Sequence, residues 1–540
     1  MTDITFGKRR KQRRWPILPI ISGICLLLAV GLFTIELVNF SQQEDRLPSD
    51  VVVAGIPVGG MQPAEAMARW EEAYAAPVVL YYNESPILLD PAAIGFRTNR
   101  ETMIAQALAA GDSGSGFWVR FINHMLGQGQ TIAHNIPLSA DYQRGLLEQF
   151  LQDISARYDK PPGRPGYDLT TLTTYPGNPG FELDIDRAMD MIDAALRDPV
   201  NRAVVLPMQN AEAHRPSLET LRELIITYLD SQGFIYDGQT TVASVYIMDL
   251  ITGEELNILG DVAFSAASTI KVAILVDYFR HLDFSPTREE AWLMANSLLC
   301  SNNSSSNLIM QSIGGGPQQI FAGIASVTNT AQYIGARNTF ITAPFDLGIE
   351  GQQLGSIPAP QTSPNPNFNT EPDPFNQTTA EDMGTIFNMI YDCANYSSGL
   401  MVAFPNGSFN QTECRQMLEL MSGNNLERLL QAGLPPGTRI SHKNGWLGGT
   451  VGDAGIVFPP NGHDYVIAVY LWEDVEFQDF TRLWPLVEEI SRAAWNYFVP
   501  ENPLLQRRTD IPPTAQECEG NYLPPFELLD LNDIDGWKSQ

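Results

Sequence analysis

Along the chain the spacing of apolar and polar positions changes several times, and each change predicts an element. Residues 15–35, WPILPIISGICLLLAVGLFTI, carry no charge over 21 positions, enough for one helix across a bilayer. The polar run SQQEDRLPSD follows. From residue 51, VVVAGIPVGGMQPAEAMARWEEAYAAPVVLYYNESPILL reads as a strand, a Gly-rich turn, a helix starting near Pro63, a strand PVVLYY and a hairpin into another strand. A similar order recurs in YDLTTLTTYPGNPGFELDIDRAMDMIDAALRDPVNRAVVLPMQ. Its helix, over residues 185–196, puts Ala188, Met191, Ile192 and Leu196 on one face. Two related α+β units with a helical segment between them are expected.

After a short linker the pattern changes. A helix over residues 221–231 leads to two strands, VASVYIMDL and EELNIL, joined by the turn ITGE. Several helices run to about Met421, interrupted by GSIPAPQTSPNPNFNTEPDPFNQ at residues 355–377, which has no apolar period and predicts a long loop. Strands follow in TRISHKNGWL, DAGIVFPP and HDYVIAVYLW, and an amphipathic helix over residues 480–498 closes the unit. Strands at both ends with helices between predict one α+β domain whose sheet draws on both termini. From Glu501 the chain is Pro-rich and acidic and is expected to be extended or loosely packed.

Length and charge narrow the picture. A chain of 540 residues is too long for one core. The expected organisation is a basic tail (1–14), an anchor (15–38), a linker (39–49), α+β units at 50–130 and 131–212, a large α+β domain at 217–500 and the acidic tail at 501–540. The net charge is −29, which argues against a nucleic-acid partner, since phosphate binding needs a basic footprint. The basic block KRRKQRR at residues 8–14 precedes the apolar run and is expected to stay cytoplasmic. That makes the protein single-pass, with everything after about residue 40 outside the cell. The rival reading, a cleaved signal peptide, lacks a small-residue cleavage site.

Cys300, Cys393, Cys414 and Cys518 then face an oxidising compartment and allow three pairings. Cys393 and Cys414 flank a Gly/Ser/Asn-rich loop and are the first pair to test. The six histidines show no ligand spacing, so neither a metal nor any other cofactor is expected.

Three stretches carry candidate chemistry. In FSAASTIKVAIL, Ser268 and Lys271 are three apart, on one face of a helix start where free N–H groups can stabilise an oxyanion. A partly desolvated lysine there can take the serine's proton. Past residue 14 the chain has only four lysines, so one at an apolar helix start stands out. A capped helix whose lysine reaches the surface is the plainer alternative. Ser265 has no lysine three residues on. In CSNNSSSNLIM, Ser301 and Asn303 can point the same way from a turn. In SHKNGW, Lys443 and Asn444 precede Gly445, where a backbone can approach an anionic ligand. Singly, these also fit a turn and an edge-strand gatekeeper.

In this order the three stretches resemble the Ser-x-x-Lys, Ser-Asp-Asn and Lys-Thr-Gly set of class A β-lactamases and penicillin-binding proteins. The flanks FSAASTIK, SNNSSSNLIMQSIGGG, TTAEDMGTIF and HKNGW followed by DAGIVFPP extend the likeness over about residues 217–500. The resemblance implies an antiparallel sheet with helices on both faces and an all-helical subdomain. It implies that Ser268 is acylated, that Lys271 accepts its proton, and that Ser301 passes a proton to the leaving nitrogen. Asn303 would bind the substrate amide. Lys443 and Asn444, beside Gly445, would hold its carboxylate, and the N–H groups of Ser268 and Trp446 would form the oxyanion hole.

Asn302 and Asn444 replace the family's aspartate and threonine, and no Glu-x-x-Leu-Asn precedes TTAEDM. Glu371 and Glu350 are the candidates for the missing deacylation base. The implied ligand is a β-lactam, with hydrolysis of its amide. The alternatives are a peptidase or transpeptidase acting on peptidoglycan stem peptides, and a catalytically weak wall-binding protein. Upstream, GIPVGGMQPAEA, IGFRTNRETMIAQALAAG and GNPGFELDIDRAMDMIDAAL resemble the peptidoglycan-binding domains that precede L,D-transpeptidase and VanW-like domains. That resemblance, over roughly residues 50–210, implies contact with the cell wall.

Overall fold

The computed structural model describes residues 17–110, 116–127, 133–234, 238–348, 355–515, 517–518, 527 and 529–531. The chain divides into two compact units: Met1–Pro162 with Pro179–Glu212, and Gly163–Asn178 with Ala213–Gln540.

The first unit begins with the apolar helix Ile17–Glu44. Its stretch Ile21–Gln43 is long and apolar enough to cross a membrane. The helix runs past the expected end at residue 38 because Asn39 to Glu44 contain no Gly or Pro to stop it. The aromatic helix Phe117–Met125 packs on it, with Phe121 and Phe33 ring centroids 5.3 Å apart.

The two expected α+β units share one core. Strand Val78–Tyr82 pairs in parallel with Ala203–Val205, and Val51–Val53 pairs in parallel with His134–Ile136. Each partner comes from the other side of the expected boundary at residue 130. Three-residue strands bury too little apolar surface to stand alone, so both halves close on Trp70, Leu80, Leu147 and Ile192. Helix Ile185–Leu196 has the expected bounds and buries Ala188, Ile192 and Leu196. Met191 is 37% exposed, and Met189 turns inward instead.

The hairpin Gly166–Asp168 and Thr173–Tyr175 belongs to the second unit, although its sequence lies within 131–212. Leu172 is buried there, and the carbonyls of Thr171 and Leu172 accept hydrogen bonds from Asn496 Nδ2, each at 3.0 Å.

The second unit is built on a five-stranded antiparallel sheet. Its spatial order is Glu255–Ile258, Thr241–Asp249, Tyr465–Glu473, Thr450–Phe458 and Arg439–Leu447. Both chain ends of the domain contribute, as the strand pattern implies. The run YVIAVYLW is apolar at every position because both faces are covered. Ile467, Val469 and Leu471 face helices Leu218–Ser231 and Phe480–Phe498, while Val466, Ala468 and Tyr470 join the helical core on the other side. At the centre of that core lies Lys271–Arg280, apolar nearly all round and buried from Lys271 to Phe279.

The disulfides are Cys393–Cys414 and Cys300–Cys518. The tail is not loose where it is described. Arg428 Nη1 donates to the carbonyls of Pro512 and Pro513 at 3.0 and 2.8 Å, and Leu529 and Leu531 are buried in the helical core. Proline removes donors but leaves carbonyls, and a buried arginine uses them.

Candidate active site

The strand Phe264–Ser265 is buried and paired with Asn376–Thr378, which fixes where the next turn starts. Ala267 then takes a φ of +48°, a left-handed conformation that costs a non-glycine residue roughly 1–2 kcal/mol. The tight turn Ala267–Ile270 carries Ser268 and feeds directly into Lys271–Arg280. In a 3₁₀ turn, side chains three apart eclipse, so Lys271 lies beneath Ser268.

Among the described residues, four oxygens lie within hydrogen-bond reach of Lys271 Nζ. They are Ser268 Oγ at 3.1 Å, the Ser301 carbonyl at 2.5 Å, Ser301 Oγ at 3.1 Å and Asn303 Oδ1 at 3.0 Å. The carbonyl and Oδ1 can only accept. A neutral amine has two N–H groups, which satisfy those two, and a lone pair left to face a hydroxyl. The electrostatics agree: burial first, and then the charge of Lys443, holds Lys271 well below the usual ammonium pKa, with Glu517 pulling the other way. The side chain is 0% exposed. Ser265, by contrast, is consumed structurally, its Oγ accepting from the Asp373 N–H at 2.8 Å.

Ser301 also has a left-handed backbone, with φ +53°. That twist aims both its carbonyl and its hydroxyl at Lys271. Asn302 caps helix Asn303–Ile313, its side chain accepting from Ser305 N at 2.9 Å. Asn303, first in that helix, is oriented by Nδ2 donating to the Asp346 carbonyl at 3.1 Å.

The strand Arg439–Leu447 passes close to the serine turn. A Cβ on Gly445 would lie 2.6 Å from Ser268 N and 3.0 Å from Thr269 N, so only glycine lets these two backbones meet. Trp446, Ser268, Asn303, Asp346, Asp373 and Asn376 line one cleft of about 320 Å³. Lys443 and Asn444 are both fully buried. Asn444 Oδ1 accepts from Lys443 Nζ and from Asn424 Nδ2, both at 3.2 Å. Burial pushes Lys443 below its ordinary pKa, and the charges of Glu517 and Asp453 oppose that shift.

Ser268, Lys271, Ser301, Asn303, Gly445 and Trp446 therefore come together around one cleft, with Lys443 and Asn444 on the strand beside it. Glu371 does not join them. It is exposed, has φ +49°, and is absent from the cleft wall. Glu350 lies outside the described residues. Two aspartates line the cleft, Asp346 and Asp373, and burial pushes Asp373 above its ordinary pKa. Nothing in the loop's composition singles Asp373 out from Glu371, because its place depends on Ser265 holding its N–H.

A second residue had no sequence signal. Glu517 Oε1 accepts from Asn444 Nδ2 at 2.9 Å and lies 3.6 Å from Lys443 Nζ. Among the described residues, no group of three His, Cys, Asp or Glu side chains is placed to hold a metal.

Residues 230–285 and 291–498 match the family model described as "Beta-lactamase enzyme family", and residues 87–204 match that described as "Putative peptidoglycan binding domain". Similar solved structures include PBP-A, at 24% identity over 52% of this chain and 96% of that one, with a TM-score of 0.37. A β-lactamase from Sphaerobacter thermophilus is 18% identical over 53% and 98%, with a TM-score of 0.37. A class A β-lactamase representative from Bacteroides cellulosilyticus is 16% identical over 53% and 99%, with a TM-score of 0.39. No curated protein matches the chain. By these matches the second unit contains a β-lactamase-like domain over residues 230–498, and the match to the peptidoglycan-binding family over residues 87–204 lies before it.

Proposed function

We propose that the chain is an extracytoplasmic serine hydrolase acylated at Ser268 by β-lactams, whose amide it hydrolyses. The observation that carries this reading is the Lys271 amine, buried among two obligate acceptors and within 3.1 Å of Ser268 Oγ. Lys271 takes the hydroxyl proton as Oγ bonds to the amide carbon. The N–H groups of Ser268 and Trp446 hold the developing oxyanion. The C–N bond then breaks, and the proton reaches the leaving nitrogen through Ser301 Oγ. Asn303 holds the substrate amide, and Lys443 and Asn444 form the subsite for its carboxylate. We assign to Asp373 the positioning of the water that cleaves the acyl ester and restores Ser268 Oγ–H.

The helix Ile21–Gln43 serves as a single-pass anchor in this reading, with the basic block inside the cell. The first unit is the wall-binding module. Its polar groove of about 330 Å³, lined by Arg97, Asn99, Asp141 and Gln143 among others, supports that role. A second reading, an enzyme acting on peptidoglycan stem peptides, is favoured by the exposed position of Glu371 and by the peptidoglycan-binding family match.

Intact mass after incubation with benzylpenicillin tests both. An adduct that appears and decays supports the hydrolase, and one that persists supports the second reading. No adduct, or an equal one on Ser268→Ala, overturns both.

A further inference from the structure

Lys443 and Asn444 are deeply buried, and a buried ammonium needs a counter-charge or loses its proton. The chain supplies one from 73 residues away. A single oxygen of Glu517 receives the Asn444 amide at 2.9 Å and faces the Lys443 ammonium at 3.6 Å. Those two groups are the ones the reading above assigns to a substrate carboxylate.

The arrangement is anchored on both sides. Upstream, Pro512 and Pro513 are tied by their carbonyls to Arg428. Immediately downstream, Cys518 is bonded to Cys300, the residue before Ser301. The residue that presents a carboxylate to the anion subsite is thus stapled to the loop that presents a hydroxyl to Lys271. Its side chain keeps 20% exposure, so it has somewhere to go if displaced.

We propose that Glu517 is an internal occupant of the carboxylate subsite, held there by the Cys300–Cys518 disulfide, and that it sets the enzyme's specificity. A substrate bearing a carboxylate must displace a tethered competitor, whereas one without a carboxylate at that position does not. Tethering matters because a group held by a short linker competes at an effective concentration of roughly millimolar or more. The inference rests on the reading of Ser268 as the acylated residue.

The test measures acylation rate constants by intact mass for benzylpenicillin and for its uncharged methyl ester. The proteins are wild type, Glu517→Gln, and the double variant Cys300→Ser/Cys518→Ser. Glu517→Gln should raise the benzylpenicillin rate constant roughly tenfold, the size of a modest coupling between two ligands, and leave the ester unchanged. The double variant should move the same way. If it does not fold, Glu517→Gln alone decides.

An equal rise for acid and ester would mean that Glu517 only tunes Lys271, and would overturn the proposal. So would no change, or a fall, in Glu517→Gln. If wild type is acylated and the variant matches it, the occupant idea fails while the Ser268 reading stands. If no protein is acylated by either compound, both fail together.

Discussion

Lys271 Nζ lies 3.1 Å from Ser268 Oγ and 2.5 Å from the Ser301 carbonyl, with the side chain wholly buried. Its ordinary role as a solvated cation is closed to it there. Lys271→Met should fold, because it removes a buried amine and keeps much of the volume, yet lose acylation by roughly 10²–10⁴-fold. Lys271→Arg should lose as much, since guanidinium stays charged. Both are checked by adduct formation at fixed β-lactam, beside circular dichroism.

In the proposed mechanism the same lysine sets a pH dependence. A base acts when deprotonated, and burial and Lys443 hold this one far below the ordinary lysine range. Acylation should therefore stay level through pH values at which a free lysine is fully protonated, and fall only on acidification. A pre-steady-state rate profile in which activity rises only near the pKa of free lysine would refute the assignment.

Gly445 and Ser268 meet backbone to backbone. Gly445→Ala places a Cβ where Ser268 N and Thr269 N leave no room. The strand and the serine turn must part, costing about 1–3 kcal/mol of stability. Acylation should fall further than stability explains, by roughly 10²–10³-fold, because the Ser268 and Trp446 N–H groups, which the proposed mechanism aims at the oxyanion, separate. Urea melts and acylation rates together distinguish this from simple unfolding.

Asp373 is assigned to the second half-reaction. Asp373→Asn should acylate as wild type does and then hold the adduct, with deacylation slowed by roughly 10²–10⁴-fold. A burst of one equivalent of nitrocefin followed by a near-flat trace is the expected signature. Unchanged turnover would remove Asp373 from the mechanism.

Asp382 carries a stability prediction. It accepts from Asn338 N at 2.7 Å and Thr339 Oγ1 at 2.8 Å, yet burial pushes its pKa from 3.8 up to about 6. In the folded chain it keeps its proton to about pH 6, while the unfolded chain releases it near 3.8. Between those values the folded state binds more protons, so this contribution falls as pH rises, by up to about 3 kcal/mol in total. The stability of wild type minus that of Asp382→Asn should decline across this window and be flat below it. Denaturant melts at several pH values give the difference.

How much of this was legible in the sequence followed from how local each feature is. The helix Phe480–Phe498 and the pairing of Ser268 with Lys271 depend on a period and on three-residue spacing, which the sequence carries directly. Asp373 and Glu517 sit in segments without a period, and their positions come from distant partners: Ser265 for one, Asn444 and Cys300 for the other. The shared core of the first unit was hidden for a related reason. Its short strands read as two repeats, whereas the pairing of Val78–Tyr82 with Ala203–Val205 crosses between them.

The hairpin at residues 166–175 has a consequence in time. Arg492 Nη1 donates to the Thr171 carbonyl, a partner 321 residues earlier in the chain. At roughly 5–20 residues per second, synthesis leaves that hairpin waiting some tens of seconds for its helix. The first unit holds all its strands by then and can fold in the interval. The cleft cannot: its sheet lacks Tyr465–Glu473 until late, and Glu517 and Cys518 arrive later still. A nascent chain stalled before residue 480 should carry a finished first unit and no working serine.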